Sequence, residues 1–162
     1  MLACVLGWGC TPRQSDAQYE ERLDRALKAR TAVTAQLDGG SLRTPEQYDA
    51  ASRQMTEALD GLDADPPPRN AAAAHASMIA GMEGLAVLLG KMGRCAALAK
   101  ASDQDRRACR QSIEQSVYDD IRNDFSEANT IYRAEGYSLS GLGSDDEAGD
   151  SLGEDPEGGD EL

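Results

Sequence analysis

Residues 69–99 read RNAAAAHASMIAGMEGLAVLLGKMGRCAALA, and this stretch decides the fold. Side chains recur at three- and four-residue steps through Ala71, His75, Met78, Met82, Leu85, Leu89, Met92, Ala96 and Ala99, and His75 is the only polar member. That period belongs to a helix with one apolar face; a strand would alternate. Glu83 and Lys91 interrupt the apolar run. The longest uncharged piece falls short of the roughly 20 residues needed to cross a bilayer. The stretch therefore predicts a helix over 69–99 buried within protein.

Working downstream, Lys100 to Asp105 is a polar turn in which Ser102 and Asp105 have the spacing of a capping box. A second helix is expected over 103–133, with Cys109, Ile113, Val117, Ile121, Phe125, Ala128 and Tyr132 on a stripe. Its spacing is nearer four than three and a half, so the stripe drifts around the helix and packs less regularly. Cys95 and Cys109 stand equidistant from residue 102. In an antiparallel hairpin such positions lie at the same height on facing helices, so the pair is expected to form a disulfide. Closing a loop of this length stabilises the fold by about 3 kcal/mol, chiefly through the unfolded chain. The alternatives are two buried free thiols or a metal or redox pair, the latter poorly served by a C-x13-C spacing with no other Cys or His nearby.

Working upstream, Asp63 to Pro68 ends in three prolines, which stop a helix and stiffen the connection. Before it, Thr44-Pro45-Glu46-Gln47 is a helix start: Thr caps, Pro suits the first helical position, and Gln47 closes the box. The helix expected over 45–62 carries the seam Tyr48, Ala51, Met55, Ala58, Leu62. Asp38-Gly39-Gly40-Ser41 ends an earlier helix over 15–37, whose seam is Tyr19, Leu23, Ala26, Arg30, Val33 and Leu37. Arg30 is its one charged position. Short connections make consecutive helices antiparallel neighbours. The sum is an all-α, antiparallel up-down bundle of four helices spanning residues 11–135.

The core available to this bundle is thin. Leu, Ile, Val and Phe supply 25 of 162 residues, and another 25 are Ala. Small cores bury little area per residue, so covalent support gains importance. The net charge is −13, but nine acidic residues and no Lys or Arg lie in 136–162, leaving about −4 for the rest. No basic stripe is present to neutralise phosphates, which excludes nucleic acid as a partner. The Gly-, Ser-, Asp- and Glu-rich segment 136–162 has no apolar period and reads as a disordered acidic tail, a solvating spacer or a contact for a basic partner.

Residues 1–10, MLACVLGWGC, are apolar throughout and give way abruptly to Thr-Pro-Arg-Gln-Ser-Asp. An apolar run ending in a small residue and Cys, here Gly9-Cys10, resembles the lipobox of bacterial lipoproteins. The resemblance covers these ten residues and implies cleavage before Cys10, a lipid on its thiol, attachment to a membrane, and a place in the cell envelope. Cys4, after Leu2-Ala3, is a second position of the same kind, but the polar switch favours Cys10. The run is short for a signal and has no basic residue before it, so the expectation includes a start upstream of Met1.

For chemistry, the sequence offers one histidine. His75, Met78 and Met82 fall at i, i+3 and i+7 on one helical face, and Met55 lies about as far before the prolines as His75 lies after them. Imidazole beside thioethers could hold Cu(I), and a His–Met pair across a bundle ligates haem in some cytochromes. Ordinary core packing is the competing account, since Met is a common core filler. No Cys-x-x-Cys-His and no nucleophile motif are present. Glu20-Glu21 and Asp119-Asp120 have the spacing of solvated helix faces, while Tyr118, Tyr132 and Tyr137 could line a groove between helices. The expectation is a non-enzymatic envelope lipoprotein without a cofactor, its bundle serving as a binding or interaction module. The alternative is a periplasmic copper- or haem-binding bundle using His75, Met78, Met82 and Met55.

Overall fold

The computed structural model describes residues 16–98 and 102–137. The lipobox-like segment with Cys10, the neighbouring Cys4 and the acidic segment from 138 onward lie outside the described residues. Within them the chain forms five helices and no strand: α1 (Asp16–Asp38), α2 (Pro45–Asp63), α3 (Ala72–Ala96), α4 (Asp103–Gln111) and α5 (Gln115–Ala134).

Local chemistry sets the helix ends. Thr44 and Gln47 form the expected box at the start of α2, with Pro45 at the first position, and Ser102 with Asp105 does the same for α4. Each box satisfies backbone N–H groups that the first turn leaves without partners. At the end of α1, Gly40 adopts φ 60° while Ser41 N–H reaches back to the carbonyl of Gln36. At the end of α5, Gly136 adopts φ 85° and Tyr137 N–H bonds the carbonyl of Tyr132. Both are left-handed caps that glycine makes without steric cost. The second folds Tyr137 back into the core. α3 begins three residues later than expected. The prolines hold the chain extended, and Ala71 and Ala72 N–H groups first close turns onto Pro68 and Arg69 carbonyls.

The helix expected over 103–133 is two helices. Ser112 ends α4: its N–H bonds the carbonyls of Ala108 and Cys109, and its hydroxyl donates to Cys109 as well. Glu114 is then extended, with ψ 134°, before α5 starts. A serine that hydrogen-bonds its own last turn competes with continuation of the helix. The apolar stripe hid this break because Ile113 and Val117 keep their spacing across it. α4 buries no residue of its own and is held by the Cys95–Cys109 disulfide, whose Cα atoms are 5.6 Å apart.

α3 is the central element, packed between α2 and α5, with α1 lying on α2. By length and composition α3 could cross a bilayer, with a mean hydropathy of 1.5 over its most apolar window. Here it is the core helix. Its buried set runs beyond the expected seam to Ala74, Gly81, Leu88, Gly93 and Cys95, because it has neighbours on two sides. Glycines let those neighbours approach. A Cβ on Gly81 would stand 2.9 Å from the Phe125 ring, one on Gly84 2.7 Å from Ile121 Cγ1, and one on Gly93 3.1 Å from Tyr48 Cβ. Consecutive long helices run antiparallel, and α1 and α5 close the bundle through long side chains, Tyr19 to Tyr132 and Arg30 to Phe125.

Candidate functional site

Two places in this bundle concentrate polar chemistry, one at each end. The first gathers the start of α1, the end of α2, the start of α3 and the end of α5. His75, on the first turn of α3, is 6% exposed. Its Nε2 lies 3.3 Å from Asp63 Oδ1 and its Nδ1 lies 3.0 Å from the Tyr19 hydroxyl. The Tyr19 hydroxyl in turn lies 2.5 Å from that of Tyr132, and both tyrosines are fully buried. Tyr137 packs edge-on against both rings, at 6.0 and 5.4 Å between centroids.

One arrangement of protons satisfies the chain from Tyr132 through Tyr19 and His75 to Asp63. Tyr132 donates to the Tyr19 oxygen, Tyr19 donates to His75 Nδ1, and His75 Nε2–H donates to the Asp63 carboxylate, which reaches solvent. Burial raises the phenols. Tyr19 is pushed up to about 12 by desolvation, against the opposing hydrogen bond from Tyr132. Tyr132 is raised further, by desolvation, its neighbour Tyr19 and the hydrogen bond between them. Both therefore stay neutral across the physiological range, and the chain they form is structural: it ties four helix ends together in a low-dielectric place where satisfied hydrogen bonds are strong.

His75 is thus packed as a core histidine with both nitrogens engaged, and Met55, Met78 and Met82 lie fully buried in the apolar core. Among the described residues, no group of three or more His, Cys, Asp or Glu is placed to hold a metal ion. The three tyrosines read as a groove are split: Tyr132 and Tyr137 belong to this cluster, and Tyr118 sits at the opposite end.

That opposite end holds an open cleft of about 980 Å³ between the α1–α2 turn, the end of α3, and α4 with the start of α5. Its apolar lining comes from Leu37, Leu42, Tyr48, Met92, Ile113 and Tyr118. Arg43, Arg106 and Arg110 face it, against Asp38 and Asp103. Arg106 pairs with Asp103 across one turn of α4, and Arg43 Nε donates to the carbonyl of Gly40. Desolvation pushes the Asp38 carboxyl and the Tyr118 phenol above their ordinary values, Tyr118 being also raised by Tyr48 and partly offset by Arg110. The size is that of a small-molecule or peptide site, and the lining is more polar than apolar, with charged side chains beside the apolar ones. Sequence reasoning missed this cleft, because its arginines come from a loop and a short helix whose placement only the folded chain defines. No protein-family model matches the chain, and no curated protein or solved structure shows significant similarity to it.

Proposed function

We propose that this chain is a non-enzymatic binding module of the bacterial cell envelope, carried as a lipoprotein on Cys10, and that it binds through the cleft at the disulfide end of the bundle. One observation carries the reading. α4 buries nothing, yet the Cys95–Cys109 bond fixes it where Asp103, Arg106 and Arg110 form one wall of the cleft. A charged helix without an apolar face has no packing reason to sit there; a wall for a site is a reason. The disulfide also supports export, since such bonds persist in oxidising compartments.

The binding test uses 8-anilinonaphthalene-1-sulfonate, an apolar anion matched to the apolar lining and the arginines. One saturable equivalent is expected on native protein, weakened about tenfold or more by Arg110→Glu and by reduction of the disulfide. Binding indifferent to both changes would remove the cleft from the proposal. The anchor is tested separately by metabolic labelling with palmitate in a bacterial host. Label on the wild type that Cys10→Ser abolishes supports the lipoprotein reading; an unlabelled wild type overturns it.

A further inference from the structure

We infer that the seam between α1 and α5 holds a second site, distinct from the cleft, in which Arg30 receives the carboxylate of a small ligand. Arg30 stands in the apolar seam of α1, where every other seam position is apolar. Its guanidinium carbon lies 4.6 Å from the centre of the Phe125 ring on α5. Its Nη1 is buried and has no hydrogen-bond partner. The ring attracts the charge but offers Nη1 no carboxylate or carbonyl oxygen.

Among the described residues, the structure shows no carboxylate offsetting this charge. Desolvation is the only cause acting on the Arg30 guanidinium, and it lowers the group from its ordinary value. Asp124, beside Phe125 in sequence, is raised by burial and by Asp120 and Glu127, with no arginine opposing them. A buried cation lacking a partner is costly, whereas Leu or Met at this place would simply extend the seam. A guanidinium fork matches the two oxygens of a carboxylate, so the missing partner is of that kind.

The facing stretch of α5 also carries buried polar atoms without partners, although Arg122 Nη1 lies 3.9 Å from Asp119. Arg122, Phe125 and Asn129 follow one another at i, i+3 and i+7, which places them along one helical face. Arg122 Nε is buried without a partner, and so is the side-chain oxygen of Asn129, a residue only 6% exposed. The unsatisfied donors, Nη1 of Arg30 over the ring and Nε of Arg122 one turn before Phe125 on α5, are ones a carboxylate oxygen could satisfy, whereas the Asn129 oxygen is an acceptor and plays no part in holding it.

The test is thermal unfolding of the full chain at constant ionic strength, with chloride exchanged for acetate. Wild-type protein should gain about 4 °C at acetate tenfold above its dissociation constant. Arg30→Met should gain none, and in chloride it should unfold no lower than wild type. Arg30→Lys, which keeps the charge and loses the fork, should keep less than half the gain. Equal acetate shifts in wild type and Arg30→Met would overturn the inference, as would an Arg30→Met protein that is markedly less stable in chloride. Independently of any variant, acetate should move the Arg30 Nε–H resonance of native protein along a saturating curve. No movement, or a linear one, would also overturn it.

Discussion

Each hydroxyl in the chain from Tyr132 to Asp63 has one proton to give, so the substitutions differ in what they strand. Tyr19→Phe leaves His75 Nδ1 without a donor and Tyr132 without an acceptor, both buried. A loss of about 2–3 kcal/mol in urea unfolding is expected. Tyr132→Phe removes only a donor to Tyr19 and should cost about 1 kcal/mol. The raised phenols fix a pH dependence of definite sign. Tyr19 holds its proton more tightly folded than unfolded, so its contribution is complete below pH 10.0 and is lost as pH climbs towards about 12. The urea midpoint should therefore fall across that window, and Tyr19→Phe should flatten part of the fall. One of its four members was legible beforehand, as was one residue of the α1–α5 seam. His75 stood out as the polar member of an apolar seam, and Arg30 as the charged member of another. Their partners did not, because Tyr19 reads as an apolar seam residue and its partner Tyr132 is far away in sequence.

At the scale of the element, α3 is shaped by what it lacks. Replacing Gly84 by Ala gains helix propensity of about 1 kcal/mol but drives a methyl into Ile121 near the root of its side chain. Overpacking of that kind costs about 1–3 kcal/mol, so Gly84→Ala should lower stability. Gly90 is the matched control. A Cβ there would meet only the flexible end of Arg94, at 3.8 Å, and Gly90→Ala should raise stability by about 0.5–1 kcal/mol. Paired thermal melts of the two variants check the opposite signs. Element ends were readable wherever a few adjacent residues decide them: Thr44 with Gln47, Gly39-Gly40, Pro66 to Pro68, Ser102 with Asp105. The break at Ser112 was not readable. A single serine does not normally stop a helix, and what stabilises the break is tertiary. α4 is held to Cys95 while α5 swings back to seat Ile121 and Phe125 against Gly84 and Gly81.

For the whole molecule, packing and covalent attachment divide the work unequally. α1, α2, α3 and α5 share one apolar core, while α4 buries no residue in it and is tied to α3 by the disulfide. Reducing Cys95–Cys109 should lower global stability by about 3 kcal/mol. Hydrogen exchange should show a sharper local effect: amides of residues 103–111 lose protection while those of α3 above Cys95 keep theirs. The up-down arrangement itself was legible from loop lengths and stop signals, because antiparallel neighbours follow from short connections. The pairing of consecutive helices was legible in the same way, whereas the central position of α3 shows in sequence only as apolar residues on more than one face. The Tyr19–Tyr132 link carries one more consequence, in time. It joins residues 113 apart in sequence, the first helix to the last, through side chains alone. Such a contact has a very large loop to close and little local structure to guide it, so it belongs after the rate-limiting step of folding. Substitutions at Tyr19 should accordingly leave the refolding rate nearly unchanged and speed unfolding by the full measure of the lost stability. The hydroxyl pair then acts as a latch, setting how long the native molecule lasts once assembled.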